Sequence, residues 1–217
     1  MWKNGFENSE RMERILIMSS TTATIKRTDT TKLVKIGMLS AVSIVLMMFE
    51  LAFPIFPSFL KMDISDIPAI VGTVAMGPMA GIAIEFIKNA LHLFKTSTAG
   101  VGELANFLIG IALVIPIGVM YKRNHSLKNF ILGSIIGACV MVLVGCVFNY
   151  YILMPAYAKA FGADIQDFVD IANAVTPMVV DLKTLILFSI APFNLLKAVI
   201  VAPVGYLVCK VLKPVLR

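Results

Sequence analysis

Five long stretches without a charged side chain constrain this sequence more than any other feature. Hydrophobic residues make up 59% of the 217 residues and charged residues only 15%, with a mean hydropathy of +0.88. A soluble domain of this length cannot bury so much apolar surface. A helix that crosses a bilayer needs about 20 mostly apolar residues, so the sequence predicts an all-α, multi-pass membrane protein surrounded by lipid. The stretches are 36–49, 67–84, 104–121, 129–158 and 184–196, the last continuing past one lysine to residue 209.

The number of spans depends on residues 67–94, which fit one long helix or two short ones. Gly77 and Pro78 lie in the middle of this stretch, where both residues weaken a continuous helix. Charge decides between the alternatives, because cytoplasmic loops collect Lys and Arg. With six spans, every basic cluster lies on the side of the two termini, and Asp63 and Asp66 fall among the acidic residues of the outer loops. Five spans would move one basic cluster outside. The sequence therefore predicts six spans with both termini in the cytoplasm.

These spans define one membrane domain at residues 33–213. Residues 1–32 are polar and rich in Ser and Thr, which predicts a disordered cytosolic tail, and 214–217 form a short C-terminal tail. The formal net charge of +6 is explained by the charge bias of cytoplasmic loops, so we expect no nucleic-acid partner. The predicted helices cover 33–52, 66–77, 78–95, 103–121, 130–153 and 184–212; the second and third are too short to cross the membrane alone.

Lys197 stands near the middle of the last apolar stretch, three residues after Asn194. An ammonium at the centre of a bilayer costs about 2.5–3.5 kcal/mol on insertion scales, and such residues usually face the protein interior and mark a site. Snorkelling is the alternative, but the side chain has a long way to reach water. No acidic residue lies three or four positions away on the same helix. The partner of Lys197 must therefore come from another helix or from a ligand.

Other polar or aromatic groups lie at a similar depth. Asn149, near the outer end of the fifth helix, either bridges helices or contacts a ligand. Residues 53–63, which we name the lid loop, form either an aromatic belt at the membrane interface or a lid over a ligand. Together with Asn194 and Lys197 they predict a pocket closed from the extracellular side. Amide and ammonium groups in such a pocket suit a multi-hydroxyl or heteroaromatic ligand.

The remaining charged residues do not indicate an enzyme. Glu85 and Lys88 are three positions apart and either neutralise each other as a structural pair or serve a coupling or ligand role. Signatures of phosphate-binding loops, serine hydrolases and zinc proteases are absent from the sequence. With His92 and His125 as the two histidines, a histidine metal site is not expected. We predict neither catalysis nor a metal or cofactor.

Five short motifs occur together: FLKMDISDIPA at 59–69, GPMAG at 77–81, KNAL at 88–91, FNY at 148–150 and PFNLLK at 192–197. In this combination the chain resembles, over about residues 33–213, the riboflavin-specific S components of energy-coupling-factor (ECF) transporters. The resemblance implies six helices with cytoplasmic termini in the bacterial plasma membrane. It also implies capture of riboflavin from outside as transported cargo. Uptake would then depend on a membrane scaffold (T) subunit and two cytosolic ATPase subunits.

The resemblance also assigns roles to individual residues. The first helix carries Gly37-x-x-x-Ala41 where the family has two alanines, and this small-residue pair permits close approach of the scaffold. By matching motif, we expect flavin hydrogen bonds from Asn149, Asn194 and Lys197, and a lid contribution from Phe59, Leu60 and Met62.

Two other kinds of transport protein stay open on the sequence alone. An S component for thiamine, biotin or a folate would share the architecture and differ in the pocket. A stand-alone secondary permease would use Glu85 or Lys197 for proton coupling, although no internal repeat of the kind typical of such permeases is evident.

Overall fold

The computed structural model describes residues 30–96 and 98–216, and most of them are helical. The chain divides into two units, and the second is Ile36–Arg217. The described part of the first unit, residues 30–35, is helical. Helix α1 runs from Thr30 to Met47. The further elements are β1 (Leu51–Ala52), β2 (Lys61–Met62), α2 (Asp66–Met76), α3 (Pro78–His92), α4 (Val101–Arg123), α5 (Leu127–Phe148), α6 (Met154–Phe161), α7 (Ile165–Asn173), α8 (Leu182–Leu185) and α9 (Ala191–Leu216).

Several helices continue into one another through tighter or wider turns. A 3₁₀ turn, Leu93–Lys95, follows α3. A π-helical turn, Asn149–Leu153, joins α5 to α6, and a second, Ile186–Ile190, joins α8 to α9. Wider turns of this type are rare and frequently lie at functional sites.

Among the described residues, four helical segments are long and apolar enough to cross a membrane: Thr30–Met47, Val101–Arg123, Leu127–Phe161 and Leu182–Leu212. They confirm the predicted class of helical, multi-pass membrane protein, although the fold is mostly helical and not all-α, because two short strands pair within it. Their exposed faces carry apolar side chains such as Leu143, as expected for contact with lipid. α2 and α3 have 11 and 15 residues, or about 16 and 22 Å at 1.5 Å per residue, less than a ~30 Å hydrocarbon core.

The break predicted between the two short helices is present at Gly77. Its φ of 95° lies in the region that residues with a side chain rarely adopt. Pro78 is the first residue of α3. Proline is tolerated there because a backbone N–H at this position would have no hydrogen-bond partner within the helix. The sequence therefore sets this corner locally, and α2 and α3 turn against each other.

The largest differences between the predicted and the observed helix ends lie in three helices. The first helix was expected to reach residue 52, but it ends at Met47, because Leu51–Ala52 pair with Lys61–Met62 as antiparallel strands. The fifth helical segment is longer than 130–153 and covers Leu127–Phe161. The last helix continues to Leu216, into the expected C-terminal tail. Of the expected N-terminal tail, residues 1–29 lie outside the described part, and 30–32 are helical.

α2 lies at the centre of the packing. It contacts α3, α4 and α9, and Ala69, Ile70 and Val71 on it are fully buried. A second apolar cluster surrounds α7, with Phe168 and Val169 buried against Leu185 and Ile190. Since buried polar groups need partners inside the protein, a charged residue beside α2 must be bound by its own chain.

Candidate functional site

A cavity of about 160 Å³ lies between the lid loop, α4, the first π-helical turn and α9. Met62, a residue of the lid loop itself, does not line it, because its side chain is buried against Phe56 and Phe193. The structure thus brings residues from distant parts of the sequence to one place. Of the six residues predicted to contact or cover a ligand, five line the cavity: Phe59, Leu60, Asn149, Asn194 and Lys197.

The two predicted asparagines meet the cavity beside Gly145. Asn149 Nδ2 donates to the Gly145 carbonyl at 2.7 Å, and Asn194 Nδ2 donates to the Ile190 carbonyl at 3.0 Å. A Cβ at Gly145 would lie 2.7 Å from Asn194 Nδ2, so this close approach requires glycine. Within the described residues, no hydrogen bond engages the Oδ1 atom of either asparagine. Each side chain therefore offers an acceptor to the cavity.

Lys197 is bound by side chains of its own chain. Its Nζ lies 3.2 Å from Asp63 Oδ2, 2.9 Å from Asp66 Oδ2 and 3.3 Å from Asn106 Oδ1. The contacts with Asp63 and Asn106 are hydrogen bonds, and the contact with Asp66 is an ion pair. The sequence allowed a partner from elsewhere in the protein or a ligand, and the structure provides the first of these. The side chain is 6% exposed and still forms part of the cavity wall.

The partners of Lys197 belong to a larger buried group, the ionic cluster, made of Asp63, Asp66, Glu85, Lys88 and Lys197. Lys88 Nζ contacts Asp66 Oδ1 and lies 2.9 Å from Glu85 Oε2, and all three side chains are fully buried. The structural pair predicted from Glu85 and Lys88 is therefore present, with Asp66 as a third member. A buried charge is stable only when bound by partners, so the cluster ties α2, α3 and α9 together.

Asp63 connects this cluster to the lid loop. It follows β2 directly, and its Oδ1 accepts hydrogen bonds from the backbone N–H of Ser65, at 2.8 Å, and from the Ser65 hydroxyl. Burial would raise the pKa of the Asp63 carboxyl, but the ammonium groups of Lys197 and Lys88 hold that pKa below its ordinary value. Asp63 is therefore an ionised group at the base of the loop.

A second polar group lies elsewhere on the cavity wall around Glu103, at the start of α4. Glu103 Oε1 lies 2.9 Å from His92 Nδ1, while Oε2 accepts hydrogen bonds from Thr96 Oγ1 at 2.9 Å and Thr98 Oγ1 at 3.0 Å. His92, Thr98 and Glu103 all line the cavity. A carboxylate with this many partners is held in one orientation and can accept hydrogen bonds from hydroxyl groups of a ligand.

Aromatic contacts hold the part of the lid loop that precedes β2. Phe59 meets Phe168 of α7 edge to face, with ring centroids 5.5 Å apart. Phe56 meets Phe193 of α9 in the same way at 5.3 Å. Such pairs contribute about 0.5–1.5 kcal/mol beyond their buried area. We name the lid loop and α7, joined by these rings, the aromatic cover.

The small-residue pair on α1 lies on an exposed face. Gly37 and Ala41 are exposed, and a Cβ at Gly37 would meet nothing within 4 Å. Met38 and Val45 on the same helix are 66% and 55% exposed. The face is thus accessible to another helix, and its contact with a scaffold stays a prediction.

Sequence reasoning missed several residues of the site, among them Asn106, Asp63, Asp66 and Glu103. Asn106 carries the same signal as Asn149, an amide inside an apolar stretch, but it was not singled out. Asp63 and Asp66 were counted among the charges of an outer loop, because a linear charge count cannot show that the loop folds back into the protein.

Known proteins resemble this chain over most of its length. The sequence model of the family described as the substrate-specific component of ECF transporters matches residues 31–209. The riboflavin transporter FmnP of Bacillus subtilis is 35% identical over 188 residues, which cover 84% of this chain and 92% of that protein. The riboflavin transporter RibU of Staphylococcus aureus is 34% identical over 171 residues, 79% of this chain and 84% of that protein.

A solved structure agrees with these relatives. The S component of a bacterial ECF transporter aligns with a TM-score of 0.71 and 31% identity, over 87% of this chain and 99% of its own. Because these relatives are transport proteins, the prediction that the chain is not an enzyme is confirmed.

Proposed function

The chain belongs to the substrate-specific (S) components of ECF transporters, and on that premise we propose that it captures riboflavin outside a bacterial cell for uptake powered by partner subunits. The observation that carries this proposal is the cavity, in which two asparagine acceptors, an ammonium–amide pair and aromatic side chains converge. Relatives named riboflavin transporters support the choice of cargo.

The chemistry of riboflavin suits these groups. One edge of its ring system carries an imide N–H between two carbonyl oxygens, the opposite end is apolar, and a side chain bears hydroxyl groups. Oδ1 of Asn149 and of Asn194 would accept from the N–H or from hydroxyls, and the Lys197 ammonium would donate to a carbonyl. Phe59 and Leu60 would cover the apolar rings.

The size of the cavity implies that the lid loop moves. Its volume of about 160 Å³ is below the roughly 300–1,000 Å³ typical of sites for drug-sized ligands. Asp63 anchors the loop at the ionic cluster, whereas Phe59 is held by an aromatic contact with Phe168. The Phe59 side of the loop would therefore open for the vitamin to enter and then close over it.

The membrane topology and the partners follow from the family. We propose that α2 and α3 cross the membrane as two short helices beside the four long ones. Both termini would lie in the cytoplasm, and the membrane would be the plasma membrane. The energy for uptake would come from two cytosolic ATPase subunits, joined to this chain by a membrane scaffold (T) subunit. The exposed α1 face around Gly37 and Ala41 would contact that scaffold.

Equilibrium binding to the purified chain tests the proposal. We expect riboflavin to bind saturably, to co-purify as a yellow species, and to be unaffected by competing thiamine, biotin or folate. Binding of one of those vitamins in place of riboflavin would change the cargo and keep the S-component role. Riboflavin uptake that survives deletion of the ATPase subunits would instead indicate a stand-alone permease.

A further inference from the structure

Three polar side chains from separate parts of the chain form a closed triangle on the cavity wall. Lys197 Nζ lies 3.2 Å from Asp63 Oδ2 and 3.3 Å from Asn106 Oδ1, and Asn106 Nδ2 lies 3.4 Å from Asp63 Oδ2. Asp63 follows the lid loop strand β2, Asn106 is on α4 and Lys197 is on α9. The triangle therefore joins the loop to two membrane helices.

The position of the triangle differs from that of the rest of the ionic cluster. Asp63, Asn106 and Lys197 all line the cavity, whereas Glu85 and Lys88 are fully buried behind it. Ser65 donates to the second carboxylate oxygen of Asp63 through its backbone and its hydroxyl. The Asp63 carboxylate is thus fixed from behind and presents its other oxygen to Lys197 and Asn106.

We propose that Asp63 and Asn106 are positioning residues for ligand capture, which hold the Lys197 ammonium in the orientation that a ligand carbonyl requires. This inference rests on the proposed function. The contacts at 3.2 and 3.3 Å are longer than the ~2.7–2.9 Å of strong charge-assisted hydrogen bonds. The ammonium can therefore share its donors with a ligand without leaving the triangle.

The position of Asp63 gives the triangle a second consequence. Because Asp63 is continuous with β2, a ligand that binds Lys197 is joined through one carboxylate to the loop that covers it. Without Asp63, the ammonium would keep Asp66 as its carboxylate partner and would lose its fixed direction toward the cavity. We therefore expect Asp63 to affect binding through Lys197.

Asp63→Asn tests this role with little change of shape. Riboflavin affinity, measured by quenching of flavin fluorescence on the purified full-length chain, is expected to fall at least fivefold. The matched control is Asp170→Asn, since Asp170 is exposed on α7 and contacts Gln166; its affinity should stay within twofold of wild type. A smaller than fivefold loss for Asp63→Asn would overturn the inference.

A double-mutant cycle separates positioning from direct or general effects. Adding Asp63→Asn to Lys197→Met should lower the affinity by less than twofold, because the group that Asp63 positions is already gone. The double variant also removes one ammonium and one carboxylate together, so the charge balance of the ionic cluster is kept. If Asp63→Asn lowers the affinity of the Lys197→Met variant as much as it lowers that of wild type, Asp63 acts independently of Lys197, against this inference.

A variant that is not properly folded shows no cooperative transition on heating. If Asp63→Asn or Lys197→Met behaves in this way, Asn106→Leu provides the second test. It leaves every charge of the ionic cluster in place and removes one corner of the triangle. We expect at least a fivefold loss of affinity with an unchanged unfolding temperature, and wild-type affinity in this variant would refute the inference. Failure of the wild-type chain to bind riboflavin would instead refute the proposed function, and this inference with it.

Discussion

The ionic cluster and the aromatic cover border the same cavity but are held together by different kinds of interaction. Asp66, Glu85 and Lys88 are fully buried and bound by directional contacts between charges. The cover is held by edge-to-face rings, and Ile55 on the lid loop is 63% exposed. Displacing a buried charge leaves its partner unpaired, at a large cost, whereas separating two rings costs about 0.5–1.5 kcal/mol beyond burial. We therefore expect the two cluster residues that line the cavity, Asp63 and Lys197, to serve recognition and the cover to serve access.

The strongest way to break this comparison is to remove a charge from the cluster. Lys88→Met should lower the free energy of unfolding by about 3–5 kcal/mol, because two buried carboxylates lose their shared partner. Thermal unfolding of the purified protein measures the change. Lys159→Met, at an exposed position on α6, should stay within about 0.5 kcal/mol. Equal stability of the two variants would mean that the cluster does not hold the helices together.

Lys197→Met should affect ligand binding more than any change in the cover. Hydrogen bonds to charged groups contribute about 1.5–3 kcal/mol, which corresponds to a loss of riboflavin affinity of roughly 10- to 150-fold. Stability should fall as well, since Asp63 and Asp66 lose a partner. Equilibrium titration, after a check that the variant is folded, gives the affinity. Unchanged binding would remove Lys197 from the site.

Phe168→Ala sharpens the comparison from the side of the cover. Loss of the Phe59–Phe168 pair should raise the dissociation rate of riboflavin by up to about tenfold and leave its association rate nearly unchanged. The ring contacts of Phe168 with Tyr157 and Phe161 are lost as well, so the fold of the variant is checked first. Stopped-flow fluorescence separates the two rates. The control is Phe94→Ala, whose ring is 90% exposed and which should dissociate like wild type. A slower association rate instead would assign Phe168 to recognition.

Gly145→Ala tests how tightly the asparagine pair is arranged. The new methyl group would lie 2.7 Å from Asn194 Nδ2, so the side chain must shift. We expect a loss of affinity of about threefold, since a shifted amide keeps part of its hydrogen bonding. Gly37→Ala, where the methyl group meets nothing within 4 Å, serves as the matched control in the same titration. Equal affinities would show that Asn194 tolerates displacement.

The smallest expected effect on binding is that of Gly37→Leu or Ala41→Leu. Both positions are exposed on α1, so riboflavin affinity should equal that of wild type while cellular uptake and association with the scaffold fall. Co-purification with the T subunit measures the association. Variants that assemble normally would show that this face of α1 does not contact the scaffold.

Much of the site could be predicted from the sequence, because intramembrane polar groups are costly and therefore informative. Lys197 and Asn194 were identified in this way, and the break at Gly77 followed from local backbone preferences. The same rule should have identified Asn106, which lies in an apolar stretch of its own.

The remaining features depend on tertiary structure. Hydropathy assigned Leu51 to a helix, whereas its pairing with Met62 across the lid loop makes it part of a strand. Asp63 was counted as an outer-loop charge, although it is 5% exposed and bound to a lysine of α9. Contacts between residues so distant in sequence leave no local pattern that periodicity or charge counting can detect.

The contact between Asp63 and Lys197 spans 134 positions of the sequence. A ribosome that adds about 5–20 residues per second needs on the order of ten seconds to make that interval. During this time the nascent chain carries three acidic groups of the cluster and one basic group. This wall of the cavity can therefore be completed only after α9 has been synthesised, which makes its formation a late step in the biogenesis of the protein.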